Sequence, residues 1–133
     1  MIIGIGTDIV MIERIQKLLD TSGDTFLDRC FTENERAFPA VHPQAAAHYA
    51  KRYAVKEATA KALGTGIGDG VTFKDIEITS LPHTAPTLSL TGRARDIAIQ
   101  KAGGMLPTLH VTLSDDHPAA VAFVILETKE QNL

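Results

Sequence analysis

Residues 43–63 are rich in alanine, carry no internal glycine or proline, and stop at Gly64. Alanine is the strongest helix former, and a helix C-terminus favours a left-handed glycine. A long helix over 43–63 is therefore expected, and a chain of 133 residues has to arrange its other elements round it. The stretch after it, residues 64–70, holds Gly64, Gly66, Gly68 and Gly70 and reads as a flexible loop whose amides have room to face a phosphate.

The remaining elements follow from local periodicity. Residues 1–6 read as a strand closed by glycines that let the chain turn. Ile9, Ile12, Ile15, Leu18 and Leu19 recur at spacings of three and four, the mark of an amphipathic helix that stops near Gly23. A short helical piece is expected over 25–30. Thr32 and Glu35 then match the capping-box spacing. Residues 73–79 and 87–90 alternate as strands, 92–102 read as a helix stopped by Gly103, and 109–114 alternate again. Residues 114–117 read as a turn. Residues 119–127 form a strand apolar on both faces, which needs a cover on each side. Because strands come in adjacent pairs, the class is α+β with a largely antiparallel sheet, and a subunit interface is the expected cover for the last strand.

Length and composition set the outer limits. A chain of this size makes one domain, 1–133, with an apolar share of 44% and a charged share of 22%. A net charge of −3 argues against broad nucleic-acid or anionic-membrane binding. Cys30 is the one cysteine, so no internal disulfide forms, and packing is its expected role. The N-terminus lacks a basic region, and the apolar run 119–126 falls far short of the roughly 20 residues of a membrane span. A soluble, cytoplasmic protein is expected.

Few residues carry chemistry. Glu57 and Lys61 lie four apart on the long helix and share a face with Tyr53, Ala54 and Ala50. They read either as an exposed ion pair or as part of a site opening toward the glycine loop. Asp8 caps the helix expected from Ile9 or serves as a metal ligand. Mg²⁺ takes one or two carboxylates and completes its octahedron with phosphate oxygens and water, and Asp8, Glu57 and Lys61 supply that inventory. No histidine or cysteine spacing suits zinc. His110 shares a polar strand face with Thr112 and Ser114.

Two long motifs resemble a known family. Gly4, Ile5, Gly6, Thr7, Asp8, Ile9 and Val10, followed by Arg14 and Ile15, resemble the opening of the holo-[acyl-carrier-protein] synthases, small 4′-phosphopantetheinyl transferases. Residues 52–58 and 61–68 resemble the second motif of that family, and 73–78, 86–90 and 110–114 fit its later strands. The resemblance implies an enzyme that moves 4′-phosphopantetheine from coenzyme A to a serine of apo acyl-carrier protein, releasing adenosine 3′,5′-bisphosphate in support of fatty acid biosynthesis. It implies Asp8 and Glu57 as Mg²⁺ ligands, and Lys61 on the pyrophosphate with Glu57 beside it. Arg52, Gly64, Pro86, His110 and Thr112 match positions lining the coenzyme A cleft. A homotrimer with clefts between subunits is also implied. Asp115 stands where many relatives have His, and His83 and Thr84 depart from their commoner polar turn. Arg14 and Lys17, beside Met11, Ile15 and Leu18, are the expected docking patch for the acidic carrier protein. Two rivals keep the same residues: a Mg²⁺-dependent nucleotide pyrophosphatase, and a non-catalytic trimeric module that binds coenzyme A or a carrier protein.

Overall fold

Gly4 and Gly6 organise the fold, though not by turning the chain. In the computed structural model, which describes residues 1–129, they lie inside a strand, β1 (Ile2–Met11), that runs well past its expected end. The expected domain's last residues, 130–133, lie outside that range. A Cβ on Gly6 would stand 1.9 Å from the carbonyl oxygen of Ala58, and one on Gly4 would stand 2.2 Å from that of Ala62. Strand and helix thus meet backbone to backbone, which only glycine permits at this separation. The helix is the long one read from the sequence, here α2 (Ala45–Leu63).

β1 pairs antiparallel with β5 (Ala119–Glu127), which pairs antiparallel with β4 (Thr108–Asp116), in the order β1-β5-β4. α2 lies across one face of this sheet, where Val10, Ala120, Ala122, Val124 and Leu126 are buried. Its alanines at 50, 54, 58, 60 and 62 are buried too, so the helix is enclosed on most of its circumference. The expected two-faced character of β5 is realised on one side only. The face away from α2 leaves Ile5, Ile9, Val121 and Phe123 exposed at 61%, 67%, 41% and 42%.

The first two expected helices are one, α1 (Ile12–Cys30), running through Gly23 without a break. A mid-helix glycine costs about 1 kcal/mol relative to alanine. Burial of Phe26, Leu27 and Cys30 beyond it outweighs that, since each large apolar side chain contributes roughly 1.5–3 kcal/mol. A hairpin of β2 (Ile76–Thr79) and β3 (Thr87–Leu90) makes a second, antiparallel sheet that buries Ile76, Ile78, Leu88 and Leu90. Residues 73–75, expected as strand, form a 3-10 turn instead. α3 (Gly92–Lys101) follows, and residues 114–116 belong to β4, so the expected turn is confined to its far end. Among the described residues no helix is long and apolar enough to cross a membrane.

Candidate active site

Register decides where Asp8 points. It pairs with Ala122, on the same side of β1 as Gly4 and Gly6, so its side chain faces α2. It does not cap a helix: α1 begins at Ile12, with Met11 at its N-cap. On α2, Lys61 turns away from Glu57 and reaches the strand, with Nζ 3.0 Å from Asp8 Oδ1 and donating to the Thr7 carbonyl oxygen at 3.1 Å. The simple i,i+4 ion pair of Glu57 with Lys61 is therefore replaced by a bridge between helix and strand. With Lys61 half exposed, that bridge is worth at most about 1 kcal/mol of stability.

Glu57 lies one turn before Lys61, half-buried, and its ionisation is unfavourable. Burial pushes its carboxyl above the usual carboxylate range, and the Asp8 charge pushes it further. The Tyr53 hydroxyl, Lys61 and Arg14 pull it back. Tyr53 was not singled out as functional from the sequence, yet it organises this corner. Its ring stacks on Phe73 with centroids 5.2 Å apart, and the Arg14 guanidinium lies 5.6 Å above it while donating to its hydroxyl at 3.5 Å. A tyrosine one turn before a candidate carboxylate was the available signal.

Two carboxylates converge here, and no cluster of three metal-binding side chains exists among the described residues. Hard oxygen donors in that number suit Mg²⁺, which takes its remaining ligands from phosphates and water, and do not suit zinc. A divalent cation between Asp8 and Glu57 would also relieve the repulsion that holds Glu57 up. The residues fit the metal.

The other predicted residues are dispersed. Arg52 lies about 140° round α2 from Glu57, by the 3.6-residue helical repeat. It donates to the His48 carbonyl oxygen at 3.2 Å and lines a cleft with Asn34, Phe38, His48 and Ser80. His48 stacks on Phe38 with centroids 3.8 Å apart; burial first, then Arg52, lowers its pKa to about 4, so it is neutral at physiological pH. Gly64 is the left-handed cap of α2 at φ 87°. The amides of Gly64, Thr65 and Gly66 bond to carbonyls of the last helical turn, and that of Gly68 bonds to Val71, so these four amides are spent on the loop itself and do not face a phosphate. Pro86 stands just before β3. His110 and Thr112 pair with Ile125 and Phe123 on the open face of the sheet, the side opposite Asp8, and His110 Nε2 lies 3.0 Å from Glu127 Oε1. Arg14 and Lys17 are exposed on α1, but Ile15 is fully buried and Leu18 half-buried. The expected apolar part of that patch therefore points inward, save for Met11. Asp115 pairs with Lys51 of α2 at 3.0 Å. Cys30 is buried, and burial raises its thiol pKa, which makes it inert.

A strand carboxylate facing a helix carboxylate and lysine, beside two backbone-contact glycines, is what this fold and site define. The 4′-phosphopantetheinyl transferase superfamily model matches residues 4–122, and the chain belongs to that family. Within it, the chain is 49% identical to the holo-[acyl-carrier-protein] synthase of Maricaulis maris over 97% of its own length and 92% of the relative's. Its structure is similar to the crystal structure of the Neisseria meningitidis holo-[acyl-carrier-protein] synthase, with a TM-score of 0.81, 35% identity, and coverage of 96% of this chain and 100% of that one. The Bacillus anthracis synthase, solved in complex with CoA (3′,5′-ADP), gives a TM-score of 0.76 at 35% identity, covering 97% of this chain and 99% of that one.

Proposed function

We propose that this chain, as one domain over 1–133, transfers 4′-phosphopantetheine from coenzyme A to a serine of apo acyl-carrier protein in a Mg²⁺-dependent reaction. This activity serves fatty acid biosynthesis in the cytoplasm. The convergence of Asp8, Glu57 and Lys61 beside Arg14 carries the reading, in a chain whose full-length relatives bear the synthase name. Mg²⁺, when bound by Asp8 and Glu57, supplies positive charge that offsets the charge growing on the pyrophosphate. Lys61 adds its ammonium to the same oxygens. The serine oxygen bonds to phosphorus, and the P–O bond to adenosine 3′,5′-bisphosphate breaks. The serine proton passes to a base, a role the Glu57 carboxylate can fill. The nucleophile belongs to the carrier protein.

Intact-mass analysis of apo acyl-carrier protein incubated with coenzyme A, Mg²⁺ and this protein tests the proposal. A gain of the phosphopantetheine mass is expected. Cleaved coenzyme A without that gain would make the chain a pyrophosphatase, and no change would make it a binding module.

The coenzyme A site is proposed to lie between copies of the chain in a homotrimer. Arg52, Gly64, Pro86, His110 and Thr112 do not meet in one protomer, and the exposed Ile5, Ile9, Val121 and Phe123 lie on the same sheet face as His110 and Thr112. Burying that face against a second copy brings His110 and Thr112 into the interface. Phe123→Asp places a charge on the exposed face without entering the core. It is expected to yield a folded monomer by light scattering, with transfer reduced at least about tenfold through loss of aligned contacts. A fully active monomer rules out the shared cleft.

Arg14 and Lys17 are proposed to attract the acidic carrier protein, now chiefly by charge, since Ile15 is buried. Arg14→Glu is expected to raise KM for apo-carrier severalfold at low salt. An unchanged KM there rejects the patch.

A further inference from the structure

Lys56, the residue before Glu57, is fully buried, and so is the side chain of its partner Glu35. The Lys56 ammonium donates to Glu35 Oε1 at 2.7 Å, to the Phe73 carbonyl oxygen at 2.9 Å and to that of Ile76 at 2.6 Å, which uses all three of its protons. Glu35 in turn accepts the Thr32 amide at 2.9 Å on Oε1 and the Ile78 amide at 3.1 Å on Oε2. One saturated network therefore ties α2 to the Thr32–Glu35 turn, to the 3-10 turn before β2, and to β2 itself. A buried ion pair is a poor device for stability, because apolar residues of similar volume usually do as well or better. Its geometric strictness is what apolar packing lacks.

Its location gives that strictness a use. Lys56 emerges from roughly the opposite side of α2 to Ala58 and Ala62, whose carbonyls abut Gly6 and Gly4. The helix is thus held on one side by strand glycines and on the other by a charge pinned at fixed distances. Rotation or sliding of α2 would break both. The same pair lies under the Arg52 cleft, since Glu35 and Ile78 both line it.

On the transferase reading above, we propose that Lys56 and Glu35 are positioning residues: together they set the depth and rotation of α2 that bring Glu57 opposite Asp8 and hold the walls of the Arg52 cleft. Their polar atoms are spent within the network. Lys56→Met alone strands a buried carboxylate and lowers the melting temperature, so the decisive variant is the double Glu35→Gln/Lys56→Met, which removes both charges and keeps the volume. It strands no charge but takes the donor from the Phe73 and Ile76 carbonyls, so it is expected to fold and to melt below the wild type but above Lys56→Met alone. Its kcat is expected to fall at least about tenfold, as displacement of a reacting group does. KM for coenzyme A is expected to rise severalfold, with KM for apo-carrier unchanged, because the exposed face of α1 is not bonded to the pair. A purely structural role would leave every constant of the folded protein where it was. A double variant that folds with wild-type kcat and KM, or one that does not fold at all, overturns the positioning role. Failure of the transferase reading is seen separately, as wild-type protein that adds no phosphopantetheine.

Discussion

Asp8→Asn and Glu57→Gln are each expected to lower phosphopantetheine transfer by at least about a hundredfold while leaving the protein folded. Each substitution keeps size and hydrogen bonding and removes one ligand charge, so the Mg²⁺ needed for residual activity should rise as well. The stability expectation for Glu57→Gln follows from linkage. The folded pKa of Glu57 is raised, by burial first and by Asp8 second. Its contribution to stability is therefore complete below the unfolded-state value of about 4.3 and is lost as pH climbs through the higher folded value. Above that folded value and without metal the carboxylate is ionised at a cost, so there Glu57→Gln should melt at or above the wild-type temperature. Inactive yet no less stable is the signature of a site held against its own repulsion. Lys61→Met should differ, with weaker coenzyme A binding and a lower rate but no rise in Mg²⁺ demand, because it removes a charge proposed to meet phosphate and frees Asp8 Oδ1 of a competing cation. Melting temperature, Mg²⁺ titration and transfer rate on these variants decide the matter. Full transfer by Glu57→Gln would refute the site.

Gly6→Ala is expected to destabilise by about 3 kcal/mol or more, the upper range for forcing a methyl group into a filled interior. The atom in the way, 1.9 Å from the new Cβ, is the Ala58 carbonyl oxygen, and a helix backbone cannot step aside as a side chain does. β1 and α2 would have to separate, carrying Asp8 away from Glu57, so transfer should fall with stability. For a domain of this size that cost corresponds to a drop of roughly 10 °C or more in melting temperature. Gly23→Ala is the control. Gly23 lies within α1 with nothing within 4 Å of its would-be Cβ, so alanine should stabilise by about 0.5–1 kcal/mol. Gly6→Ala with wild-type melting temperature would remove the backbone-contact account.

The elements legible in the sequence were those whose signal is local. The long helix and its Gly64 cap, the 87–90 strand and the alternation in 109–114 each follow from propensity or period within one stretch, and the structure has them close to the expected limits. The grouping of Asp8, Glu57 and Lys61 in one corner was legible for a related reason. Asp8, Glu57 and Lys61 are the residue types that phosphate and Mg²⁺ chemistry needs, and they lie in the motifs that carry the family resemblance. The misreadings share the opposite character. Gly4 and Gly6 read as a turn because their purpose, room for the carbonyls of Ala62 and Ala58, lies more than fifty residues away. Gly23 read as a stop because the burial that offsets it belongs to contacts between α1 and α2.

By itself, the sequence determined the class of the protein, the long alanine-rich helix and the short list of candidate site residues, because helix and strand periods and side-chain chemistry are properties of neighbouring residues. Only the tertiary structure decided how those groups are shared out. It turned Lys61 from Glu57 to Asp8, placed His110 and Thr112 on the face opposite Asp8, and buried Lys56 against Glu35. Each of these depends on which backbones touch and which charges lose their water when α2 settles on the sheet. Desolvation and close approach arise between distant segments, and no single stretch of sequence carries them.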